Sequence, residues 1–228
     1  MNRLIIVFSC LLISLCANAK SELLDIQSFS KASEFTGVKI SPTGKYLAVI
    51  TQPEGKNALM ILDTATFKVL HAIHFPGNAQ VGNYYWVNEE RIVLAKEYLK
   101  GWKDHPEYHG ELFGVNADGS QGEYLVGYQG ERQTGTRIKK ATPVLGTSYV
   151  LDPLVENKRK MLVLTIPWTA ANEPHTIVYE VDVYRGSRKL VTRSPSRMAS
   201  FLTDHEGNVR VSASTDDYIN PKIYIRPK

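Results

Sequence analysis

A turn followed by a short apolar strand recurs along this chain, and that recurrence constrains its fold more than any other feature. The first copy is Ser41-Pro42-Thr43-Gly44-Lys45-Tyr46-Leu47-Ala48-Val49-Ile50. Pro42 presets φ for a turn, and Gly44 can take the positive φ that closes it. Tyr46 to Ile50 is then a run of strand formers. In the first unit, Lys45 to Thr51, Ala58 to Leu62 and Phe67 to Phe75 read as strands, the last two joined by Asp63-Thr64-Ala65-Thr66. Aspartate and threonine side chains at such a joint can bond the turn backbone.

The same order returns three times. In the second unit Tyr84 to Val87 leads through Asn88-Glu89-Glu90 into Arg91 to Lys96; an excursion from Glu97 to Gly110 precedes Glu111 to Val115, the turn Asn116 to Ser120, and Glu123 to Tyr128. In the third, Thr147 to Leu151, Met161 to Ile166, Thr176 to Val183 and Arg188 to Arg193 are strands, with a loop from Pro167 to His175 and a turn at Tyr184-Arg185-Gly186-Ser187. The fourth has Ala199 to Thr203, the turn Asp204-His205-Glu206-Gly207, Asn208 to Ser214 and Lys222 to Arg226.

Equivalent turns at Asp63, Asn116 and Asp182 lie 53 and 66 residues apart. A propeller blade takes roughly 40–50 residues plus insertions. Ala58 to Leu62 and Met161 to Leu164 are continuously apolar, as strands buried on both faces are. A β-sandwich would show cleaner alternation and more even spacing. The expectation is an all-β chain forming a partial β-propeller of about four blade-like antiparallel units.

Composition adds the address. Asn2-Arg3 is a positive n-region, Leu4 to Leu15 an apolar h-region, and Ala17-Asn18-Ala19 a small-x-small site, together the pattern of a bacterial secretory signal cleaved after Ala19. The run is short for a membrane span. Lipidation at Cys16 is the rival reading, and it ranks second because Leu15 stands where a small residue is expected. The expected layout is a signal peptide at 1–19, a lead-in segment at 20–33 and an incomplete propeller domain at 34–228, in a periplasmic or secreted protein. Both cysteines, Cys10 and Cys16, fall inside the signal, so the mature chain has no disulfide and no thiolate chemistry. A formal net charge of +4 is too mild to suggest nucleic acid.

Four motifs carry a resemblance. Ser41 to Ala48 resembles the blade-opening "SPDGKYLA" of propellers in the prolyl oligopeptidase family of serine peptidases. Trp86-Val87-Asn88-Glu89-Glu90-Arg91-Ile92-Val93 resembles the "WVNDDRIV" of its secreted dipeptidyl- and acylaminoacyl-peptidase branch. Gly110 to Ser120 resembles "GELFAVNADGS", and Phe201 to Arg210 a later "LLDHDGRVR". The resemblance implies an N-terminal propeller that restricts access to an α/β-hydrolase domain bearing a Ser-Asp-His triad. No such domain is present in this sequence, and the family's propeller has more blades than four.

The residues themselves offer no catalytic constellation. A nucleophile elbow needs Gly-x-Ser-x-Gly; Ser148 has Gly146 before it but Val150 after it, and Ser120 has Gly122 after it but Asp118 before it. His105 and His109 are four apart, a metal-like spacing on a helix, but Pro106 argues against a helix. His71 and His74 are three apart on an expected strand and so point to opposite faces. Asp204, Glu206, Asp216 and Asp217 lack the fixed spacing of a calcium loop. Tyr84-Tyr85-Trp86 reads as core, and Lys158-Arg159-Lys160 and Arg185 to Arg197 as solvated loops. No catalytic, cofactor or metal residue is assigned, and no cofactor. The expected role is the non-catalytic propeller portion of an exported peptidase, meeting oligopeptides through a hydrolase domain outside this chain, with no peptidase activity of its own. The alternative is a stand-alone, propeller-like binding protein of the envelope.

Overall fold

The Ser41–Lys45 turn forms as its residues dictate. Gly44 sits at φ +74° and its N–H donates to Ser41 O at 2.9 Å. The Ser41 hydroxyl, itself buried, accepts from Tyr46 N at 3.0 Å. This turn joins β1 (Phe35–Ile40) to β2 (Tyr46–Thr51). The computed structural model describes residues 33–127, 145–170, 173–216 and 219–226. The chain divides into two units, Met1–Ser33 and Glu34–Lys228. Residues 1–19, expected to be a signal peptide and holding both cysteines, and residues 20–32 of the expected lead-in lie outside the described residues, as do Tyr128 and Asp217.

Among the described residues the second unit is all-β: four antiparallel sheets in chain order, with no α-helix. Sheet 1 pairs β1, β2, β3 (Ala58–Asp63) and β4 (Val69–Ile73) in sequence. Sheet 2 pairs β5 (Ala79–Trp86), β6 (Arg91–Tyr98), β7 (Glu107–Asn116) and β8 (Glu123–Val126). Sheet 3 pairs β9 (Gly146–Asp152), β10 (Lys160–Pro167), β11 (His175–Asp182) and β12 (Arg188–Arg197). Sheet 4 holds three described strands, β13 (Ser200–Thr203), β14 (Val209–Thr215) and β15 (Pro221–Ile225).

The sequence pattern falls short in two places. It names no strand before Lys45, yet β1 is there, paired to β2 through a bulge between Thr36 and Lys39; its run is exposed and carries Gly37 at φ +56°, so it lacks an apolar signature. The excursion from Glu97 to Gly110 is shorter than expected, because β6 continues to Tyr98 and β7 begins at Glu107. A register shift between Lys96 and Glu97 masks the alternation there.

The sheets pack face to face in chain order, and alternation along the second strands shows how. In β6, Ile92 and Leu94 join Leu59, Ile61 and Tyr84 between sheets 1 and 2, while Val93 joins Leu112, Met161 and Val163 between sheets 2 and 3. In β10, Met161 and Val163 face sheet 2, and Leu162 faces Phe201 and Val209 of sheet 4. The continuous apolar run of β10 is thus a strand buried between two sheets, whereas that of β3 lies in sheet 1 and meets a described sheet on one face only.

One charged side chain ties sheets 2 and 3 together. Arg91 opens β6 and is wholly buried. Its Nε donates to Val183 O at 2.8 Å, and Nη1 donates to Asn116 Oδ1 at 3.0 Å and Gln121 O at 2.9 Å. The guanidinium lies 4.6 Å from the Tyr184 ring centroid. Nη2 has no hydrogen-bond partner among the described residues and occupies the space a Cβ on Gly114 would take, 2.7 Å away. Asn88 sets this up: its Oδ1 accepts from Arg91 N at 2.8 Å, while its Nδ2 donates to Lys158 O at 2.7 Å. Burial lowers the Arg91 pKa, but a guanidinium stays charged regardless.

The hairpins after β3 and β11 are built alike. Phe67 N donates to Asp63 O, and Gly186 N to Asp182 O, at 2.8 and 2.9 Å. Both donors hold positive φ, +68° at Gly186 and +53° at Phe67, where a side chain is strained.

Two substitutions follow from this geometry. Arg91→Met keeps volume but strands three acceptors, of which the buried Val183 O and Asn116 Oδ1 are each worth roughly 1–3 kcal/mol. The urea midpoint should fall by the equivalent of about 3 kcal/mol or more with the slope unchanged, and Arg91→Lys, lacking the planar fork, should recover less than half. Phe67→Gly should do the opposite. It relieves a left-handed cost of about 1–2 kcal/mol against about 0.5–1 kcal/mol of added chain entropy, and the Phe67 side chain is exposed. A melt should show Tm raised by roughly 1–4 °C.

Candidate functional site

Antiparallel order gives every sheet two ends, and the two are chemically different. The short connections at 74–78 and 198–199 keep sheets 1 and 2, and sheets 3 and 4, in the same sense. The backbone of β7 approaches β9 at their starts: a Cβ on Gly110 would lie 2.5 Å from Ser148 N. So the hairpins β1–β2, β3–β4, β5–β6, β7–β8, β9–β10, β11–β12 and β13–β14 share one end.

That end is closed by side chains that cap their own turns. Asp63 Oδ1 accepts from Thr66 N at 2.9 Å, Asp182 Oδ1 from Tyr184 N and Arg185 N at 2.9 Å, and Asp118 Oδ1 from Ser120 N at 2.9 Å. Asp204 accepts from Glu206 N and Asn208 N at 3.0 and 2.8 Å and pairs with Arg210 at 2.5 Å. The bond from Asn208 N and the Arg210 pair hold its carboxyl well below the usual range. These polar groups are satisfied locally, which leaves little for a ligand.

The opposite end is the candidate site. It carries the β6–β7 and β10–β11 loops, with Trp102 80% exposed and Trp168 46% exposed. Trp168 is positioned rather than loose: its Nε1 donates to Thr147 Oγ1 at 2.9 Å, and its N–H to Leu145 O at 2.8 Å. Beside them, Tyr98 packs on His109 with centroids 5.4 Å apart, and Tyr108 on Tyr149 at 5.3 Å, joining sheets 2 and 3. The Tyr108 hydroxyl donates to Ser148 O, and burial raises its pKa. Glu107 pairs with both Lys100 and Lys103, and Lys100 lies 6.0 Å over the Trp102 ring. Those two lysines pull the Glu107 carboxyl down to about 2. The arrangement offers exposed indole faces beside cations, suited to stacking and apolar contact with an extended ligand.

The other residues weighed in the sequence are placed as follows. Ser148 is buried mid-strand, its hydroxyl 2.8 Å from Thr165 Oγ1, and forms no elbow. Ser120 is a turn residue whose hydroxyl accepts from Asn116 Nδ2 at 3.0 Å. His105 is in the β6–β7 loop and His109 on β7, so the pair shares no helical face. Among the described residues no group of three or more His, Cys, Asp or Glu is placed to hold a metal. His71 lies against the Gly119 turn, where a Cβ would meet its Nε2 at 2.3 Å. Asp216 caps its own loop through Asn220 N at 2.9 Å. Tyr84 and Trp86 are core: the Tyr84 hydroxyl donates toward the carbonyls of Ala48, at 2.6 Å, and Gly37, and Trp86 stacks on Tyr46 at 6.1 Å. Arg159 and Lys160 are paired with Asp182 and Glu180 at 2.7 and 2.6 Å. Trp102 and Trp168 had a signal in the sequence, as tryptophans between Gly, Lys and Pro outside any alternating run, but the sheet end they share depends on the strand order.

No protein-family model matches the chain, and no curated protein matches it. Among solved structures it is similar to oligogalacturonate lyase from Vibrio parahaemolyticus, at 12% identity over 86% of this chain and 52% of the lyase, with a TM-score of 0.48. It is similar to oligopeptidase B from Trypanosoma brucei at 15% identity, covering 82% of this chain and 25% of that one, with a TM-score of 0.45. A structure from work on two prolyl endopeptidases matches at 14% identity over 89% of this chain and 29% of that one, with a TM-score of 0.44. The chain thus spans about half of the lyase and about a quarter of each peptidase. Likenesses this distant assign neither a family nor an activity. No helix among the described residues is long and apolar enough to cross a membrane.

The Glu107 contact has a pH signature. Its carboxyl is depressed from 4.5, so the stabilisation it lends the β6–β7 loop is present above about pH 4.5 and is lost as pH falls through about 2. Carbon-detected NMR titration should place the Glu107 midpoint near 2. Glu107→Gln should speed amide exchange at Lys103, whose N–H donates to Lys100 O, already at neutral pH.

Proposed function

We propose that this chain is the non-catalytic propeller portion of an exported, prolyl oligopeptidase-like serine peptidase, and that it governs which oligopeptides reach a hydrolase domain outside these residues. The single observation that carries this reading is the stacking of four antiparallel meanders face to face in strict chain order, which is how propeller blades are arranged. Four motifs resembling that family fall at matching places within the stack: the β1–β2 turn, the β5–β6 corner, β7 with its turn, and β13 with its turn. The distant solved structures include peptidases of this kind, and the export signal expected at 1–19 suits the same branch. Trp102 and Trp168 mark the end of the stack that would face peptide.

On this reading the chain binds but does not cleave. The purified chain should leave Pro-anilide and dipeptide chromogenic substrates intact and resist labelling by a fluorophosphonate. Intrinsic fluorescence should be quenched by proline-containing oligopeptides, and Trp102→Ala should remove most of that quench without shifting the melt. Turnover abolished by a serine-directed inhibitor would overturn the non-catalytic assignment. Unchanged fluorescence across a peptide series would overturn the peptide-facing role of this end.

A further inference from the structure

Between Asp182 and Asp204 the chain has no acidic residue and five cations, Arg185, Arg188, Lys189, Arg193 and Arg197. All but Arg185 lie on β12, so most of this stretch is a strand rather than the expected loop. Among the described residues β12 pairs with β11 and forms an edge of sheet 3. Lys189, Arg193 and Arg197 are exposed, and no described residue engages their side chains in a hydrogen bond or ion pair. The acids of β11 are already taken. Glu180, opposite Lys189 in register, pairs with Lys160 at 2.6 Å, and Asp182 pairs with Arg159 at 2.7 Å. The rest of this sequence, outside the described residues, holds only Glu22, Asp25, Glu131 and Asp217 as acids, no two of them adjacent. It therefore supplies no acidic run to neutralise the strip.

Charge on an edge strand resists unwanted pairing, but that need alone does not account for β12. The last strands of sheets 1 and 2, β4 and β8, hold no lysine or arginine, and β4 leaves Val69 and Leu70 exposed without one. The β12 strip also mixes its cations with exposed aliphatic side chains. Leu190 adjoins Lys189, Met198 adjoins Arg197, and the two are 55% and 48% exposed. Neighbouring residues of a strand point to opposite faces, so an edge-on approach brings both kinds of side chain to one surface. No aromatic residue lies between Arg185 and Met198, so the strip offers no platform on which a base or sugar ring stacks. At about 3.3 Å per residue, Lys189 to Arg197 spans about 27 Å, which suits a broad surface better than a single anion. We infer that the β12 edge seats this protein on a bilayer surface of anionic lipids. Lys189, Arg193 and Arg197 face the phosphate headgroups, and Leu190 and Met198 enter the interface beside them. A soluble polyanion would satisfy the charges and leave both aliphatic side chains in water. The inference goes beyond the peptide-facing role proposed above and does not depend on it.

Vesicle co-sedimentation of the full chain tests it, with vesicles of phosphatidylcholine alone and vesicles in which phosphatidylglycerol replaces part of it. The apolar stretch from Leu4 to Leu15 acts on both kinds alike, so the difference between them reports the strip. The wild-type chain should partition more strongly onto the anionic vesicles, and that excess should fall as salt screens it. Each neutralised cation should lower the excess about fivefold, so Arg193→Gln alone is measurable, and adding Lys189→Gln and Arg197→Gln should abolish it. Thermal melts check that the variants fold, and Arg193→Gln alone carries the test if the triple variant does not. Lys68→Gln with Lys158→Gln and Lys222→Gln removes the same charge from other exposed positions and should keep the excess. Leu190→Ser with Met198→Ser should weaken binding while its salt dependence stays. Equal binding to both kinds of vesicle, cation variants that bind as the wild type does, a control that loses as much, or a serine pair without effect would each overturn the inference. Binding to soluble polyglutamate without binding to the anionic vesicles would overturn it in favour of an acidic protein partner.

Discussion

A buried guanidinium is an awkward thing to place in a stack of apolar sheets, and much of this structure is arranged around one. Arg91 loses its water and gains three oxygen acceptors from two separate turns, Asn116 and Gln121 at the β7–β8 turn and Val183 at the β11–β12 turn. Breaking such a set is costly because the charge remains when a partner is lost. Its acceptors are amide and carbonyl oxygens, and the nearest carboxylates, Asp182, Glu123 and Glu90, act on it at longer range. The result is a fixed register between sheets 2 and 3. Apolar faces alone would tolerate a shift, whereas three directed bonds to one planar fork do not. Gly114 is required beside it, since any side chain there would meet Nη2.

Much of this was legible in the residues. The turns at Asp63, Asn116 and Asp182 mark the ends of β3, β7 and β11; Asp63 and Asp182 bond their own turn backbones as such residues can, while Asn116 gives its side chain to Arg91 and Ser120. The uninterrupted apolar run in β10 announced a strand covered on both faces, whereas the like run in β3 belongs to sheet 1, which has a described sheet on one side only. What stayed hidden has physical reasons. β1 has no apolar signature because it is an exposed edge strand, and its apolar residues are interrupted by a glycine at positive φ. The β6–β7 loop was read too long because a register shift breaks the alternation that sequence reading follows. Arg91 could be seen as the residue opening a strand, but its partners are up to 92 positions away. No local pattern encodes a contact between sheets.

The division of the molecule into two ends follows from the same local chemistry. At one end each hairpin is tight, and an aspartate, asparagine or serine spends its side chain on its own backbone. Such turns are stable and chemically quiet. At the other end the β6–β7 and β10–β11 connections are longer, and they carry indole rings at the surface. Loops held on a rigid scaffold are where binding usually resides. Trp168 is such a case, anchored by two hydrogen bonds while its ring remains nearly half exposed.

Stacked meanders also behave as a nearly one-dimensional system, in which each sheet is stabilised chiefly by its neighbours. Sheets 2 and 3 have a partner on each side and share the Arg91 anchor. Sheets 1 and 4 have one described neighbouring sheet each, and sheet 4 has three described strands where the others have four. Among the described residues, stability should therefore be greatest at sheets 2 and 3 and fall toward sheets 1 and 4.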